Sequence, residues 1–158
     1  SVYNGMMLVK DSNDIVLIHD GARPFLTDEM VTLSIKAVDE EGYAASYVCK
    51  KISDTIRKVN SDGTTETIPR DALTSVQTPQ VVLKPYWLEA YGMIQLWTEH
   101  GIRITDDVFM IELIMKQKNW KFRIKPIITE DTTYNIKITY PGDIAVAEVW
   151  LAEGKVKV

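Results

Sequence analysis

The stretch Ile15-Val16-Leu17-Ile18-His19-Asp20-Gly21-Ala22-Arg23-Pro24 decides the fold of this 158-residue chain. Its four consecutive apolar residues predict a buried strand, and glycine and proline end that strand at once. Asp20 therefore stands at the carboxyl end of a strand, where ligands bind in open α/β sheets. Asp20 and Arg23 are the first candidates for a functional site. The alternative at this point is that Asp20 caps a turn and Arg23 is solvated, since Asp-Gly turns are common.

The composition is that of an ordinary globular domain, with 46% hydrophobic and 25% charged residues. The length favours one domain. The net charge of -4 argues against non-specific binding of nucleic acid, but not against a small anionic ligand held by a few local cations. No apolar stretch approaches the roughly 18 residues needed to span a membrane, so no membrane partner is expected.

Cys49 is the only cysteine, so no disulfide can form within the chain and a reducing compartment, the cytoplasm, is expected. It lies in the apolar run 44–49, which indicates a buried, inert thiol rather than a nucleophile. Two distant histidines and one cysteine argue against a structural zinc site.

Helical and strand patterns alternate along the rest of the chain, which predicts an α/β layered domain. Thr27, followed by two acidic residues, is the expected N-cap of the first long helix, and Gly42 ends it. The apolar run 43–49 predicts a second buried strand. The same reasoning predicts the remaining elements: helices over 1–10, 85–101 and 144–153, a helix capped by Thr105, and strands over 120–128 and 135–139.

Residues 51–72 are of a different kind. Two polar, alternating segments, 55–59 and 64–68, flank an Asn-Ser-Asp-Gly turn, which predicts a β-hairpin. Neither segment is apolar enough to lie in the centre of a sheet, and an isolated hairpin is marginally stable in water. The hairpin is therefore expected to project as an arm that pairs with something else, such as another subunit.

Four motifs, the first of them within the opening stretch, stand out by their order and spacing. They are His19-Asp20-Gly21-Ala22-Arg23-Pro24, Gln77-Thr78-Pro79-Gln80, Ile104-Thr105-Asp106-Asp107, and Asn135-Ile136-Lys137-Ile138-Thr139 followed by Pro141. Together they resemble the family of sugar- and polyol-phosphate cytidylyltransferases, and within it the enzymes that act on 2-C-methyl-D-erythritol 4-phosphate. The resemblance extends over nearly the whole chain, because the Ser1-Val2 start, the Asp54-Thr55 pair and Arg70 also match.

This resemblance implies a Rossmann-like nucleotidyltransferase fold, a three-layer α/β sandwich that is incomplete at its N-terminus. Residues 1–158 would form the C-terminal portion of a single cytidylyltransferase domain, and residues 51–72 a β-arm that joins two subunits in a homodimer. The implied reaction transfers a cytidylyl group from CTP to 2-C-methyl-D-erythritol 4-phosphate and releases pyrophosphate, a step in making isoprenoid precursors outside the mevalonate route.

The resemblance also assigns residues to the nucleotide. Ser1, Asp20 and Lys137 would lie beside CTP, and Asp20 and Lys137 would be the catalytic pair. Lys137 suits this role because a point cation near the α-phosphorus stabilises developing negative charge. Asp20 repels phosphate directly, so its expected use is through Mg²⁺ or the ribose hydroxyls. No general base is required, because a phosphate monoester is already largely ionised near neutral pH.

Five residues would serve the polyol phosphate or lie between it and the nucleotide. Arg70 can grip a phosphate with two hydrogen bonds, and threonine hydroxyls add neutral ones. In the family the arm reaches the neighbouring subunit, so two of these residues would act in the partner's site. The substrate-binding set is Thr55, Arg70, Thr78, Thr105 and Thr139, of which Thr55 and Arg70 lie on the arm.

The chain departs from the family at its start. The family begins with a strand and a glycine-rich loop, bearing an arginine and a lysine, that wraps the triphosphate, and no Gly-x-Gly occurs in these residues. The chain alone is therefore expected to be inactive. Two alternatives remain open: an enzyme acting on ribitol 5-phosphate, used in teichoic-acid synthesis, and a non-catalytic dimerisation or binding module.

Overall fold

The structure, a computed structural model, describes residues 1–11 and 14–157; the predicted domain 1–158 thus includes three residues outside the described part. The helices are α1 (Val2–Leu8), α2 (Asp28–Asp39), α3 (Lys84–Gly92), α4 (Ile94–Glu99), α5 (Asp107–Gln117) and α6 (Pro141–Ala152). The strands are β1 (Ile15–Ile18), β2 (Ala45–Lys51), β3 (Ile56–Val59), β4 (Thr65–Ile68), β5 (Thr74–Leu83) and β6 (Ile124–Ile127). Two short 3₁₀ helices span Arg70–Ala72 and Glu130–Thr133.

Four strands form the central sheet in the order β1-β5-β2-β6. Strand β5 runs antiparallel to β1 and β2, whereas β2 and β6 are parallel. Strands β1, β2 and β6 therefore point the same way, and their carboxyl ends meet at one edge of the sheet. The loop that carries Asp20, the hairpin and the segment that leads to Lys137 all begin at this edge, which explains why distant motifs converge there.

Helices cover both faces of this sheet. Tyr47 packs in the core cluster formed with α1, α3, α4 and α5, whereas its neighbour Val48 packs in a second cluster with α2. Successive residues of a strand point to opposite faces, so the sheet lies between α2 on one side and α1, α3, α4 and α5 on the other. This arrangement confirms the predicted α/β sandwich.

The central strand β5 is the main element that sequence reasoning missed. Pro79 lies inside it, and a proline within an apolar run argues against a central strand because it cannot donate to the ladder. The structure places Pro79 where the register with β2 shifts, between the partners of Tyr47 and Cys49. A proline is tolerated at such an irregularity, so β5 remains in the middle of the sheet.

The predicted helices are confirmed, except that one of them is divided. The hydroxyl of Thr27 accepts a hydrogen bond from the backbone N–H of Met30 at 3.4 Å, as expected of the N-cap of α2. The predicted helix over 85–101 is divided at Met93 into α3 and α4. Within the described residues, no helix has the length and apolar character needed to cross a membrane.

Two predicted strands are wrong in extent or in kind. The strand expected over 120–128 is limited to β6, and residues 135–139 form no strand. The reason is that these residues bond to different partners instead of to one ladder: the N–H of Ile138 donates to the carbonyl of Ala22 at 2.8 Å, and the side chain of Asn135 bonds to β5.

The hairpin is confirmed as a separate two-stranded sheet, in which β3 pairs antiparallel with β4. Its turn closes with a hydrogen bond from the N–H of Gly63 to the carbonyl of Asn60, and Gly63 has a φ of 83°, which favours glycine. Lys58 and Glu66 form a cross-strand ion pair at 2.9 Å, and Val59 is 70% exposed. An exposed, mostly polar hairpin fits the expected arm.

Cys49 is fully buried in β2, and this burial raises the pKa of its thiol. A buried thiol of raised pKa is a poor nucleophile, which confirms the predicted structural role.

The core predicts a clear contrast between two helical isoleucines. Ile111 on α5 is fully buried, whereas Ile144 on α6 is 52% exposed. Ile111→Ala is expected to lower the free energy of unfolding by about 2–5 kcal/mol, because a buried side chain leaves a cavity. Ile144→Ala should change it by about 0.5 kcal/mol or less. Urea unfolding followed by circular dichroism measures both, and equal effects would contradict the assignment of the core.

Candidate active site

A cavity of about 460 Å³ opens at the carboxyl end of β1. It brings together five of the residues that the sequence analysis singled out, and they come from five separate parts of the chain. The five are Ser1, Asp20, Thr78, Thr105 and Lys137. The predicted nucleotide residues and two of the predicted substrate residues therefore share one site.

Asp20 lies between two cations in this cavity. Its Oδ2 atom is 3.1 Å from Nε of Arg23 and 3.2 Å from Nζ of Lys137. Partial burial by itself would raise the pKa of Asp20, but hydrogen bonds and charge from Lys137 and Arg23 outweigh it and hold the pKa below its usual value. Asp20 is therefore ionised in the folded protein near neutral pH.

The two cations differ in how firmly they are held. The side chain of Arg23 is only 11% exposed, and it donates to Asp20 and, from Nη1, to the carbonyl of Asn135 at 2.7 Å. The alternative of a solvated Arg23 is thus wrong. The side chain of Lys137 is 50% exposed, which leaves its ammonium free to move to a ligand. Arg23 is structural in this arrangement, and Lys137 is the available cation.

Thr78 connects β5 to the loop after β1. Its hydroxyl accepts a hydrogen bond from the N–H of Asp20 at 3.0 Å and lies 3.1 Å from Nδ1 of His19. The other ring nitrogen of His19, Nε2, is 3.0 Å from the carbonyl of Arg23, which can only accept. In the neutral imidazole Nε2 therefore carries the proton, and the hydroxyl of Thr78 donates to Nδ1. The hydroxyl proton of Thr78 is thus engaged within the protein.

The third motif begins α5, but Thr105 is not its cap. Asp106 is the N-cap and accepts from the N–H of Phe109 at 2.9 Å, whereas the hydroxyl of Thr105 donates to Asp106 at 3.1 Å. The cap prediction for Thr105 is wrong because Asp106, one residue later, has the carboxylate that reaches the first turn. Thr105 instead lines the cavity.

Asp107 is the most enclosed carboxyl beside the cavity. Its burial raises the pKa, and this outweighs the hydrogen bond from Nε1 of Trp87 at 2.7 Å. Next to it, the N–H of Val108 donates to Oε1 of Gln80 at 3.0 Å, which fixes the start of α5 against β5. These two contacts fix the beginning of α5, and with it the position of Thr105 in the cavity lining.

Three predicted site residues do not line this cavity. Thr139 is exposed beyond Lys137, where its N–H donates to Asp143 at 2.8 Å. Thr55 is exposed on the arm, and so is Arg70, which donates to the carbonyl of Ser53. The placement of Thr55 and Arg70 away from the cavity of their own chain is compatible with action in a partner's site.

Sequence reasoning passed over two polar residues that hold the site together. Gln80 and Asn135 are buried, and both lie in quoted motifs without having been given a role. Gln80 belongs to an otherwise apolar segment, and a buried polar side chain needs a hydrogen-bond partner. That pattern is the signal that could have indicated its structural function.

The donor set for a metal ion is small. Among the described residues, no group of three or more His, Cys, Asp or Glu side chains could hold one. Three aspartates line the cavity, but Asp106 accepts from the N–H of Phe109 and Asp107 from Trp87, so Asp20 is the carboxylate that faces Lys137. This fits the mode in which Mg²⁺ keeps several waters and binds through one carboxylate and the phosphates of a substrate, but not a cage made by the protein alone.

Residues 1–153 match the model of the family described as 2-C-methyl-D-erythritol 4-phosphate cytidylyltransferase. The chain belongs to this family. A cytidylyltransferase of this name from Bacillus cytotoxicus is 38% identical over 151 residues, which cover 96% of this chain and 61% of that protein. A second, from Bacillus pumilus, is 38% identical over 148 residues, covering 94% and 59%. The chain thus spans about three fifths of the length of these curated relatives.

Solved structures agree with the fold. The 4-diphosphocytidyl-2C-methyl-D-erythritol synthase of Anaerococcus prevotii is 27% identical with a TM-score of 0.77, over 96% of this chain and 65% of that one. The 2-C-methyl-D-erythritol 4-phosphate cytidylyltransferase of Thermus thermophilus, at 24% identity and a TM-score of 0.72 over 96% and 68%, shows the fold alone. The Rossmann-like nucleotidyltransferase fold expected from the sequence is confirmed.

The charges around Asp20 predict a pH-dependent contribution to stability. Because its pKa is lowered in the folded state, the contribution is present above the unfolded pKa of about 3.9 and is lost as the pH falls through the lower folded value. Asp20→Asn should therefore be less stable than the wild type at about pH 7, and the difference should shrink towards about pH 3. Urea unfolding at several pH values measures it.

Asp39→Asn, at an exposed position on α2, is the control and should differ little from the wild type throughout. A stability difference for Asp20→Asn that stays constant with pH would show that its carboxylate is not stabilised by Arg23 and Lys137.

Proposed function

We propose that this chain carries part of the active site of an enzyme that transfers a cytidylyl group from CTP to 2-C-methyl-D-erythritol 4-phosphate and releases pyrophosphate. Membership of the family supports the reaction. The observation that carries the proposal is the half-exposed Lys137 ammonium beside Asp20 and Arg23, at the carboxyl end of β1. A phosphate can approach this ammonium from solvent, while the largely buried Arg23 keeps Asp20 in place.

The chemistry requires little beyond positioning and charge. A phosphate oxygen of the acceptor attacks the α-phosphorus of CTP, the bond from that phosphorus to the bridging oxygen breaks, and pyrophosphate leaves with the electron pair. Two polyanions must be held together, so catalysis depends on orientation and electrostatic stabilisation. Lys137 moves from Asp20 to the α-phosphate, where its charge balances the negative charge that develops. Ser1 and Thr105 border the same cavity and would add hydrogen bonds.

A magnesium ion would fit beside Asp20. When bound, Mg²⁺ supplies charge neutralisation to the triphosphate. Asp20 would hold it together with phosphate oxygens, and Arg23 would keep the Asp20 carboxylate in place during the exchange. The departure of Lys137 from Asp20 on nucleotide binding would leave that carboxylate available to the cation.

The arm would complete the acceptor site of a second subunit. We place Thr55 and Arg70 in the partner's site, with Thr78, Thr105 and Thr139 on the chain's own side, in a homodimer built through residues 51–72. The exposure of the hairpin and of both residues supports this, since an isolated hairpin has little stability by itself. The single buried thiol, Cys49, supports a reducing, cytoplasmic location.

The first activity prediction concerns Lys137. Assays use the chain itself and a version extended at its N-terminus with the corresponding residues of the Bacillus cytotoxicus relative. The extended version should turn over CTP with 2-C-methyl-D-erythritol 4-phosphate, and the chain alone should not. In the extended version, Lys137→Ala is expected to lower kcat by about 10²- to 10³-fold and to raise KM by less than about threefold, because the charge acts mainly in the transition state.

Lys121→Ala is the matched control, because that lysine is exposed and bonds to Asn119 away from the cavity. It should leave kcat unchanged. A rise in KM without loss of kcat on Lys137→Ala would refute the catalytic role. Turnover with ribitol 5-phosphate only would overturn the proposed acceptor, and tight binding of CTP by the chain alone would contradict the need for the extension.

The second activity prediction tests the arm by mixing two inactive variants. Arg70→Ala and Lys137→Ala, each in the extended version, are unfolded together and refolded. If Arg70 acts in the partner's site, half of the dimers are hybrids with one intact site of two, and about one quarter of the wild-type activity returns.

The matched control mixes Lys137→Ala with Asp20→Asn, two residues that line one cavity of the same chain. Every site in every hybrid then lacks one of the two side chains, so this mixture should regain no activity. If the mixture of Arg70→Ala and Lys137→Ala also regains no activity, Arg70 acts in the site of its own chain. Light scattering that shows a monomer would also count against the arm.

A further inference from the structure

Asn135 is fully buried two residues before Lys137. It contacts two of the segments that surround the cavity, β5 and the loop after β1. Its Nδ2 donates to the carbonyl of Thr78 at 2.8 Å and to Oε1 of Gln77 at 3.2 Å, both on β5. Its backbone carbonyl accepts from Nη1 of Arg23 at 2.7 Å. One residue thus joins the central strand, the loop after β1 and the segment that carries Lys137.

The orientation of the Asn135 amide is determined by its partners. The carbonyl of Thr78 can only accept. Gln77 donates from Nε2 to the carbonyl of Thr132 at 3.2 Å, so its oxygen is the atom that faces Asn135. Both partners require a donor, and Nδ2 must therefore point at them.

This orientation leaves a polar atom without a partner. Within the described part of the chain, Oδ1 of Asn135 is buried and makes no hydrogen bond. A buried, unsatisfied acceptor lowers stability, and such an atom in a folded protein calls for an explanation.

We propose that Asn135 is a positioning residue. It holds the backbone of Lys137 at the place from which the Lys137 ammonium reaches Asp20, next to Thr78. This inference rests on the proposed cytidylyl transfer. Lys137 lies between two attachments of its backbone: Asn135 on the β5 side, and Ile138, whose N–H donates to the carbonyl of Ala22 at 2.8 Å. Because the Lys137 side chain is half exposed, its reach is set by these backbone attachments and not by packing.

The test compares Asn135→Leu, which is similar in size but has no donor, with Asn135→Ala, the milder change, in the extended version of the protein. Loss of the donor lets the segment shift from β5. We expect kcat to fall by about 10- to 100-fold, since a displacement of about 1 Å can cost this much, while KM changes by less than about threefold. If Asn135→Leu does not fold, Asn135→Ala decides.

The control is Asn119→Ala at the end of α5. Asn119 is exposed and has a φ of 52°, so alanine there also lowers stability but does not touch the cavity. Its kcat should equal that of the wild type. An equal fall in kcat for Asn119→Ala and Asn135→Ala would show that lost stability alone explains the effect, and would overturn the proposal.

A second readout separates positioning from general structure. If Asn135 acts through Lys137, Asn135→Ala should have little further effect in a Lys137→Ala background, whereas independent effects would multiply. In the chain itself, carboxyl-carbon NMR should show that Asn135→Ala moves the pKa of Asp20 back towards its usual value as Lys137 moves away.

The outcomes distinguish the two proposals. Multiplicative effects on kcat, or an unchanged pKa of Asp20, would overturn the positioning role while leaving the reaction intact. An extended wild type that transfers no cytidylyl group would overturn the proposed function, and the NMR titration would still decide whether Asn135 positions Lys137.

Discussion

The bridge made by the Arg23 guanidinium is the interaction on which the site depends. It joins the Asp20 carboxylate, at the end of β1, to the backbone of Asn135, more than one hundred residues later in the chain. Because arginine presents several donors in a rigid, planar fork, one side chain can fix two segments in a defined geometry. Its burial strengthens these bonds, and Asp20 keeps its charge beside it. The second cation, Lys137, can then remain exposed.

The topology explains why this bridge forms where it does. Strands β1, β2 and β6 run in the same direction, so the loop with Asp20, the arm and the segment after β6 leave the same edge of the sheet. Strand β5 runs the other way and brings Thr78 to this edge. The sheet itself is held by apolar packing against helices on both faces. The polar contacts among Asp20, Arg23 and Thr78 are therefore attached to a packed sheet, which suits a reaction that depends on orientation.

Much of the site could be predicted from short motifs, because a carboxylate placed directly after an apolar strand has few possible locations. Asp20, Thr78, Thr105 and Lys137 line one cavity, as expected.

Strand β5 could not be predicted, since Pro79 is typical of a strand end and only its pairing with β2 reveals the shift in register that accommodates it. The cap of α5 was ambiguous because Thr105, Asp106 and Asp107 are all good cap residues. The role of Asn135 depends on contacts with residues more than fifty positions away, which local patterns do not contain.

We propose that Arg23 keeps its contacts in the nucleotide complex while the ammonium of Lys137 leaves Asp20 for the α-phosphate. A crystal structure of the N-terminally extended protein with a non-hydrolysable CTP analogue would decide this. Nζ of Lys137 is expected within about 3 Å of an α-phosphate oxygen, with Arg23 still bonded to Asp20 and to the carbonyl of Asn135. An α-phosphate bound away from the end of β1, with Lys137 still paired to Asp20, would contradict it.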